Sequence, residues 1–150
     1  MNFGMRQDTG GTLAIRLESE HVLAGGLLRG EVVFSNGMLP TDVESICVTV
    51  HCNVSQDQET EQGTLRTCGS VILVPRAVLA SAFLAAPGAV HRFAFSCGVP
   101  GALGVSQPGV CDYRISAAVE IEHGIGPGTG ADFVVVERAA ETDTERSDGR

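Results

Sequence analysis

Alternation between apolar and polar side chains is the sequence feature that most constrains this fold. Residues 44–54 show it most clearly, with a period of two that is typical of a half-buried strand. In that segment Ile46, Val48, Val50 and Cys52 face one way, and Cys47, Thr49 and His51 face the other. The same period recurs in residues 12–17, 29–34, 91–97 and 112–121. About six strands separated by turns predict an all-β protein, an immunoglobulin-like antiparallel β-sandwich.

Three apolar segments are harder to assign. Residues 71–74 and 133–136 are short continuous apolar runs, which predict strands covered on both faces. Residues 77–86 read AVLASAFLAA, and Ala and Leu are strong helix formers, with Pro87 and Gly88 in position to end a helix. The sequence does not decide between a helix and a strand for this segment.

The chain has room for one domain. Its 150 residues can bury about two thirds of the surface of the unfolded chain, enough for a core without metals or disulfides. Apolar residues make up 43% of the chain and aromatic residues 5%, so the core must come mainly from Val, Leu, Ile and Ala. We expect the sandwich to span residues 1–136, and the charged segment 137–150 to be a disordered tail.

Charge and hydropathy limit the kinds of partner that we expect the chain to bind. The formal net charge is −8, so the chain lacks the clustered cations with which proteins bind nucleic acid or an anionic membrane. No apolar run approaches the roughly 18 residues of a membrane-spanning helix, and the first 20 residues lack the apolar core of a secretory signal. We therefore expect a cytoplasmic protein whose five cysteines are reduced thiols.

Residue types that carry chemistry are present but scattered. Cys47, His51 and Cys52 are potential zinc ligands, but a strand puts Cys52 on the face opposite the other two, so the three do not converge. No Gly-x-Ser-x-Gly motif offers a nucleophile. The four histidines lie far apart, at His21, His51, His91 and His123. The sequence predicts neither an enzyme nor a metal or cofactor site. A metal- or redox-responsive protein that uses Cys47, Cys52 or Cys68 is the weakest alternative.

Two motifs resemble the amino-terminal domain of arrestins, especially the alpha-arrestins. In the first, Gly25 stands at a turn and Gly30 lies five residues later, with Leu28 and Val32 in the apolar positions. The second is an aromatic strand and a corner, followed by a strand of the Tyr-x-Ile-x-Ala type; its residues here are Phe93, Phe95, Pro100, Tyr113, Ile115 and Ala117. The resemblance implies a sandwich of arrestin type, in which these ten marker residues are structural.

The same resemblance implies a non-enzymatic adaptor or scaffold in intracellular trafficking, endocytosis or signalling. Its partners would be cytoplasmic tails of membrane proteins or trafficking components, with recruitment to endosomal or plasma membranes. A full arrestin has two such domains, so a second arrestin domain from another chain is a further expected partner. The alternative function is a self-associating structural subunit, which forms a homo-oligomer and has no adaptor role.

One apolar run is a candidate partner-binding edge. It consists of Phe133, Val134, Val135 and Val136, close to the end of the predicted domain. A hydrophobic strand in that place can pair its backbone with a partner strand or a second domain. The simpler interpretation of the run is an ordinary core strand.

Overall fold

The structure, a computed structural model, describes residues 11–101, 104–122, 124 and 126–137. These residues form eight β-strands and no helix, which confirms the predicted all-β class. The strands are β1 (Thr12–Leu17), β2 (His21–Leu23), β3 (Leu27–Ser35), β4 (Thr41–Thr60), β5 (Gly63–Ala85), β6 (Val90–Gly98), β7 (Cys111–Ile121) and β8 (Gly128–Val136).

The strands form two sheets. One sheet has three strands in the order β1-β3-β6, and the other has five strands in the order β2-β8-β7-β4-β5. Neighbouring strands are antiparallel except β2 and β8, which run parallel and pair His21 with Val134. The larger sheet is therefore mixed, and the finer assignment to an antiparallel, immunoglobulin-like sandwich of arrestin type is not confirmed.

The two sheets share one hydrophobic core. The alternation expected for residues 44–54 is present, because Ile46, Val48, Val50 and Cys52 are at most 1% exposed. The three-stranded sheet contributes fully buried side chains to the same cluster, among them Leu28, Val32 and Phe34. As the composition predicts, most of these buried side chains are aliphatic.

Strands β4 and β5 form an unusually long hairpin. They are 20 and 23 residues long, and they pair from Thr41 opposite Ala85 to Thr60 opposite Gly63. Residues 77–86, for which the sequence leaves helix and strand open, lie in β5 as far as Ala85. Backbone pairing with β4 outweighs their helix propensity, which differs among ordinary residues by at most about 0.7 kcal/mol per residue.

The outer part of this hairpin extends past its neighbour in the sheet. Strand β7 pairs with β4 from Val43 to Val54 only, so residues 55–60 of β4 pair with β5 alone. At the base of this two-stranded ribbon, the N–H of Ser55 donates to the carbonyl of Val110 at 2.8 Å. Because an isolated two-stranded ribbon is marginally stable, contacts at its base matter for its order.

The predicted tail lies outside the described residues, apart from Glu137. The domain boundary after residue 136 therefore stays a prediction. Within the described part of the chain, no helix is long and apolar enough to cross a membrane.

Candidate interaction surface

The ten marker residues are parts of the core and of turns. Six of them are at most 7% exposed: Leu28, Val32, Phe95, Tyr113, Ile115 and Ala117. Phe93 is partly buried, and Pro100 is exposed directly after the buried Val99. Most of them lie on β3, β6 and β7, so they help to build the core that both sheets share.

The two marker glycines meet backbone requirements. Gly25 has a φ of 80°, a left-handed conformation that favours glycine, and its N–H donates to the carbonyl of Val99 at 3.0 Å. Gly30 lies where β3 passes close to β1, so a Cβ there would overlap the carbonyl oxygen of Arg16. Gly25 is therefore required by the backbone conformation of its turn, and Gly30 by the close approach of β1 and β3.

The apolar run 133–136 lies in β8, which has neighbours on both sides. Phe133 pairs with Tyr113 of β7, and the next three residues pair with β2. The backbone of Val135 also exchanges two hydrogen bonds of 2.8 Å with the N–H and hydroxyl of Ser106. The structure thus gives this run no free edge, and it buries Phe133 and Val135 in the core at 3% and 1% exposed.

The longest free edge belongs to β5. This strand ends the five-stranded sheet, pairs with β4 on one side, and has no neighbouring strand on the other side among the described residues. We call this unpaired backbone edge, from Gly63 to Ala85, the β5 edge. An unpaired edge presents N–H and C=O groups that an extended segment of another chain can pair with.

Large apolar side chains on β5 are exposed to solvent. They are Leu65 (55%), Val71 (39%), Ile72 (62%), Val78 (49%) and Leu84 (65%). The run 71–74 lies in a strand, as the sequence predicts, but Val71 and Ile72 are exposed, so the expectation that the run is covered on both faces is wrong. Lysines, which natural proteins often place on edge strands to block pairing, are absent from the whole chain.

A bulge interrupts the β5 edge. The ladder with β4 passes from Val74 to Ala77, so Pro75 and Arg76 bulge out of it. Pro75 has no N–H to offer a partner strand. The bulge divides the β5 edge into an outer segment, residues 63–74, and an inner segment, residues 77–85. Each segment contains one further register shift in its ladder with β4.

The same bulge lets Arg76 reach across β4 to β7. Its guanidinium donates to both carboxylate oxygens of Glu120, with Nε 3.2 Å from Oε2, and its Nη2 donates to the Ser45 hydroxyl at 2.8 Å. The Ser45 hydroxyl donates in turn to Glu120 at 2.5 Å. Hydrogen bonds from Arg76 and then from Ser45 lower the pKa of Glu120 from 4.5 to about 2. This network ties three strands together and fixes β5 on the sheet.

Two of the buried thiols are poorly suited to nucleophilic attack. Burial raises the pKa of Cys47, and the carboxylate of Glu120, 3.9 Å from its Sγ, raises it further. Burial also raises the pKa of Cys97, whereas a reactive thiol needs a lowered pKa. Cys47 and the partly exposed His51 alternate along β4 with the fully buried Cys52, so these three do not converge. Among the described residues, no group of three or more His, Cys, Asp or Glu is arranged to hold a metal ion.

Sequence reasoning missed the β5 edge and the Arg76 network. Nothing local in the sequence connects Arg76 with Glu120, because they are 44 positions apart. The sequence does contain one signal for the network: Arg76 is a single cation inside the long apolar stretch 71–80. A charge in such surroundings requires a partner.

The fold and the surface together define a class: a domain of two β-sheets around one core, with a long hairpin that leaves one edge open. A model of the SpoOM protein family, Spo0M, matches residues 8–144, and the chain belongs to this family. No curated protein matches the chain.

Two solved structures show related folds. Spo0M, a sporulation control protein from Bacillus subtilis, is similar with a TM-score of 0.68 and 17% sequence identity, over 93% of this chain and 55% of that one. The chain therefore spans about half the length of that relative. AvmM, which catalyses macrocyclization in alchivemycin A biosynthesis, has a TM-score of 0.52 and 6% identity, over 87% of this chain and 90% of that one. At these identities the likeness concerns the fold alone.

The resemblance to arrestins is wrong. The family that matches is SpoOM, and no arrestin family does. The physical reason is that turn glycines and alternating buried residues, such as Tyr113, Ile115 and Ala117, meet the needs of any two-sheet core. The roles in trafficking and endocytosis that the resemblance implied lose their support with it.

Proposed function

We propose that this chain is a non-enzymatic regulatory protein whose β5 edge binds an extended segment of a protein partner by strand addition. The observation that carries the proposal is the 23-residue strand β5, with one unpaired backbone edge and five large exposed apolar side chains. The family relative named as a sporulation control protein supports a regulatory setting.

The composition of β5 indicates what kind of segment binds. The strand has no acidic residue and two cations, and both are already paired, Arg66 with Asp57 and Arg76 with Glu120. An apolar partner strand gains about 0.5–1.5 kcal/mol for each backbone hydrogen bond. It also gains about 25 cal/mol for each Å² of apolar surface that is covered. Side chains such as Ile72 and Val78 offer that surface on either side of the bulge.

The state of the thiols supports a role without catalysis. Burial raises the pKa of Cys47 and of Cys97, so neither is activated as a nucleophile. Strand addition needs no activated group, because the backbone of the edge provides the contacts.

The test compares two lysine variants on β5 with a matched variant on the other sheet. Ile72→Lys and Val78→Lys place a solvated charge on the β5 edge, where it opposes strand pairing. Val90→Lys is the control, because Val90 is 53% exposed on β6, which is also the end strand of its sheet. Tagged copies of the full chain are used for affinity capture from its own cells, followed by quantitative mass spectrometry.

We expect a protein that the unsubstituted chain and Val90→Lys capture, and that both β5 variants lose at least tenfold. With that protein in purified form, amides of residues 63–85 should become protected from hydrogen exchange on binding. Equal capture by all four proteins would refute binding at the β5 edge. The captured protein that the β5 variants lose can also be an untagged copy of this chain. In that case the partner is a second copy, and sedimentation should show an oligomer for the unsubstituted chain and monomers for the β5 variants.

A further inference from the structure

Two of the five cysteines are in direct contact in the core. The Sγ atoms of Cys52 and Cys111 are 2.9 Å apart, and the two residues are 0% and 7% exposed. Cys52 lies on β4 opposite Tyr113, and Cys111 begins β7 opposite Val54, so the two cysteines are diagonal neighbours on adjacent strands. Both side chains belong to the core cluster, which places them on the same face of the sheet.

This contact is close to the geometry of a disulfide. The sulfur atoms of a disulfide are about 2.0 Å apart, so this pair must close by roughly 0.9 Å to form the bond. The other three thiols are placed differently: Cys47 on the outer face of β4, Cys68 exposed on the outer segment of β5, and Cys97 on the other sheet.

We propose that Cys52 and Cys111 form a thiol oxidation site, in which a peroxide converts the pair into a reversible disulfide. The less buried Cys111 thiolate attacks one oxygen of hydrogen peroxide, which breaks the O–O bond and gives a sulfenic acid and hydroxide. The sulfur of Cys52 then displaces the sulfenic hydroxyl group to form the S–S bond. The two thiol protons combine with the two oxygen atoms and the two hydrogen atoms of the peroxide as two molecules of water, so two thiols are oxidised and one peroxide is reduced.

The surroundings of the pair set its rate. Burial, together with the hydrogen bond to Cys111, raises the pKa of Cys52 to about 12. Because the thiolate is the reactive form, the raised pKa of Cys52 slows its attack on the sulfenic acid of Cys111.

The position of the pair gives the disulfide a structural effect. Cys111 and Val54 form the last pair between β7 and β4, immediately before the two-stranded ribbon begins. An S–S bond here fastens the base of the ribbon to the body of the sheet. If the proposed function holds, oxidation limits the motion of the outer segment of the β5 edge; the disulfide itself does not depend on that function.

The experiment uses the full chain with Cys68→Ser, which removes the exposed thiol that would form intermolecular disulfides. After treatment with hydrogen peroxide, the protein is denatured and alkylated, and intact mass and peptide mapping count the remaining thiols. We expect four thiols to fall to two, with Cys52 and Cys111 in one disulfide-linked peptide, and dithiothreitol to restore all four. The melting temperature of the oxidised protein should rise by roughly 5–15 °C, because the bond closes a loop of 59 residues.

Further variants in the same background assign the bond. Cys97→Ala should still form the disulfide, whereas Cys52→Ala and Cys111→Ala should not. Four alkylated thiols after oxidation, oxygen addition that dithiothreitol does not reverse, or a bond between other cysteines would overturn the proposal. These outcomes are measured without a partner, so they are distinct from a failure of the lysine variants in the capture experiment.

Discussion

Replacement of Gly30 by Ala tests how closely β1 and β3 approach each other. Leu17 of β1 pairs with Gly30, and a Cβ on Gly30 would lie less than 3.0 Å from the carbonyl oxygen of Arg16. It would also lie 3.0 Å from Cζ of Phe95 and 3.1 Å from Cα of Leu17. Two of these three neighbours are backbone atoms, which cannot rotate away. The added methyl group must therefore push β1 away from β3.

The size of the effect follows from these distances. To reach ordinary contact near 3.5 Å, β1 must move by roughly 1 Å, which strains the hydrogen bonds at its carboxyl-terminal end. Overpacking costs about 1–3 kcal/mol, and contact with backbone places Gly30→Ala at the upper end, about 2–3 kcal/mol. For a chain of this length, that corresponds to a melting temperature lower by roughly 4–12 °C.

The assay is urea unfolding followed by circular dichroism, with Gly69→Ala as the matched control. Gly69 is also a strand glycine, but a Cβ there would have no atom within 4 Å, and its φ is outside the left-handed region. We expect the free energy of unfolding of Gly69→Ala to be unchanged or slightly higher. A Gly30→Ala protein within about 0.5 kcal/mol of the unsubstituted chain would refute the reasoning, since surface substitutions produce changes of that size.

Three further predictions concern polar contacts. Because the pKa of Glu120 is lowered from 4.5 to about 2 in the folded protein, its contribution to stability is complete above pH 4.5 and is lost as the pH falls toward 2. Acid unfolding monitored by circular dichroism should show a smaller loss of stability over that interval in Glu120→Gln. Asn36 is 7% exposed and its side-chain amide donates to three backbone carbonyls, so Asn36→Ala should lower the free energy of urea unfolding by about 1–3 kcal/mol. The hydroxyl of Tyr113 donates to the carbonyl of Gly104 at 2.5 Å, so Tyr113→Phe should speed hydrogen exchange in residues 104–110 while the β7 core amides stay protected.

The sequence was sufficient for strands whose two faces differ. Along β4, Ile46, Val48 and Val50 need burial and Thr49 does not, so the period of two identifies both the strand and its inner face. The turn at Gly25 could also be predicted from the sequence, because a positive φ favours glycine whatever the rest of the fold is.

The rest depends on information that no short segment holds. β5 is an end strand whose residues are mostly exposed on both faces, so its sequence carries no alternation to detect, and its alanines imitate a helix. The bond between Arg76 and Glu120 and the contact between Cys52 and Cys111 depend on strand register, which is a property of the assembled sheet. The arrestin resemblance was wrong for a related reason. Alternation of buried and exposed residues indicates a packed core, and many families of β-proteins share it.

The parallel pair of β2 and β8 has a consequence for how the chain acquires its structure during synthesis. His21 and Val134 are 113 positions apart, so β2 leaves the ribosome long before the strand that it pairs with exists. At about 5–20 residues per second, that interval is roughly 6–23 s. Throughout it, β2 has no hydrogen-bonding neighbour in its sheet, and the apolar Val22 has no completed core to enter. The edge formed by β2 is therefore the last part of the larger sheet to close, and β2 stays unpaired in the newly made chain until β8 arrives.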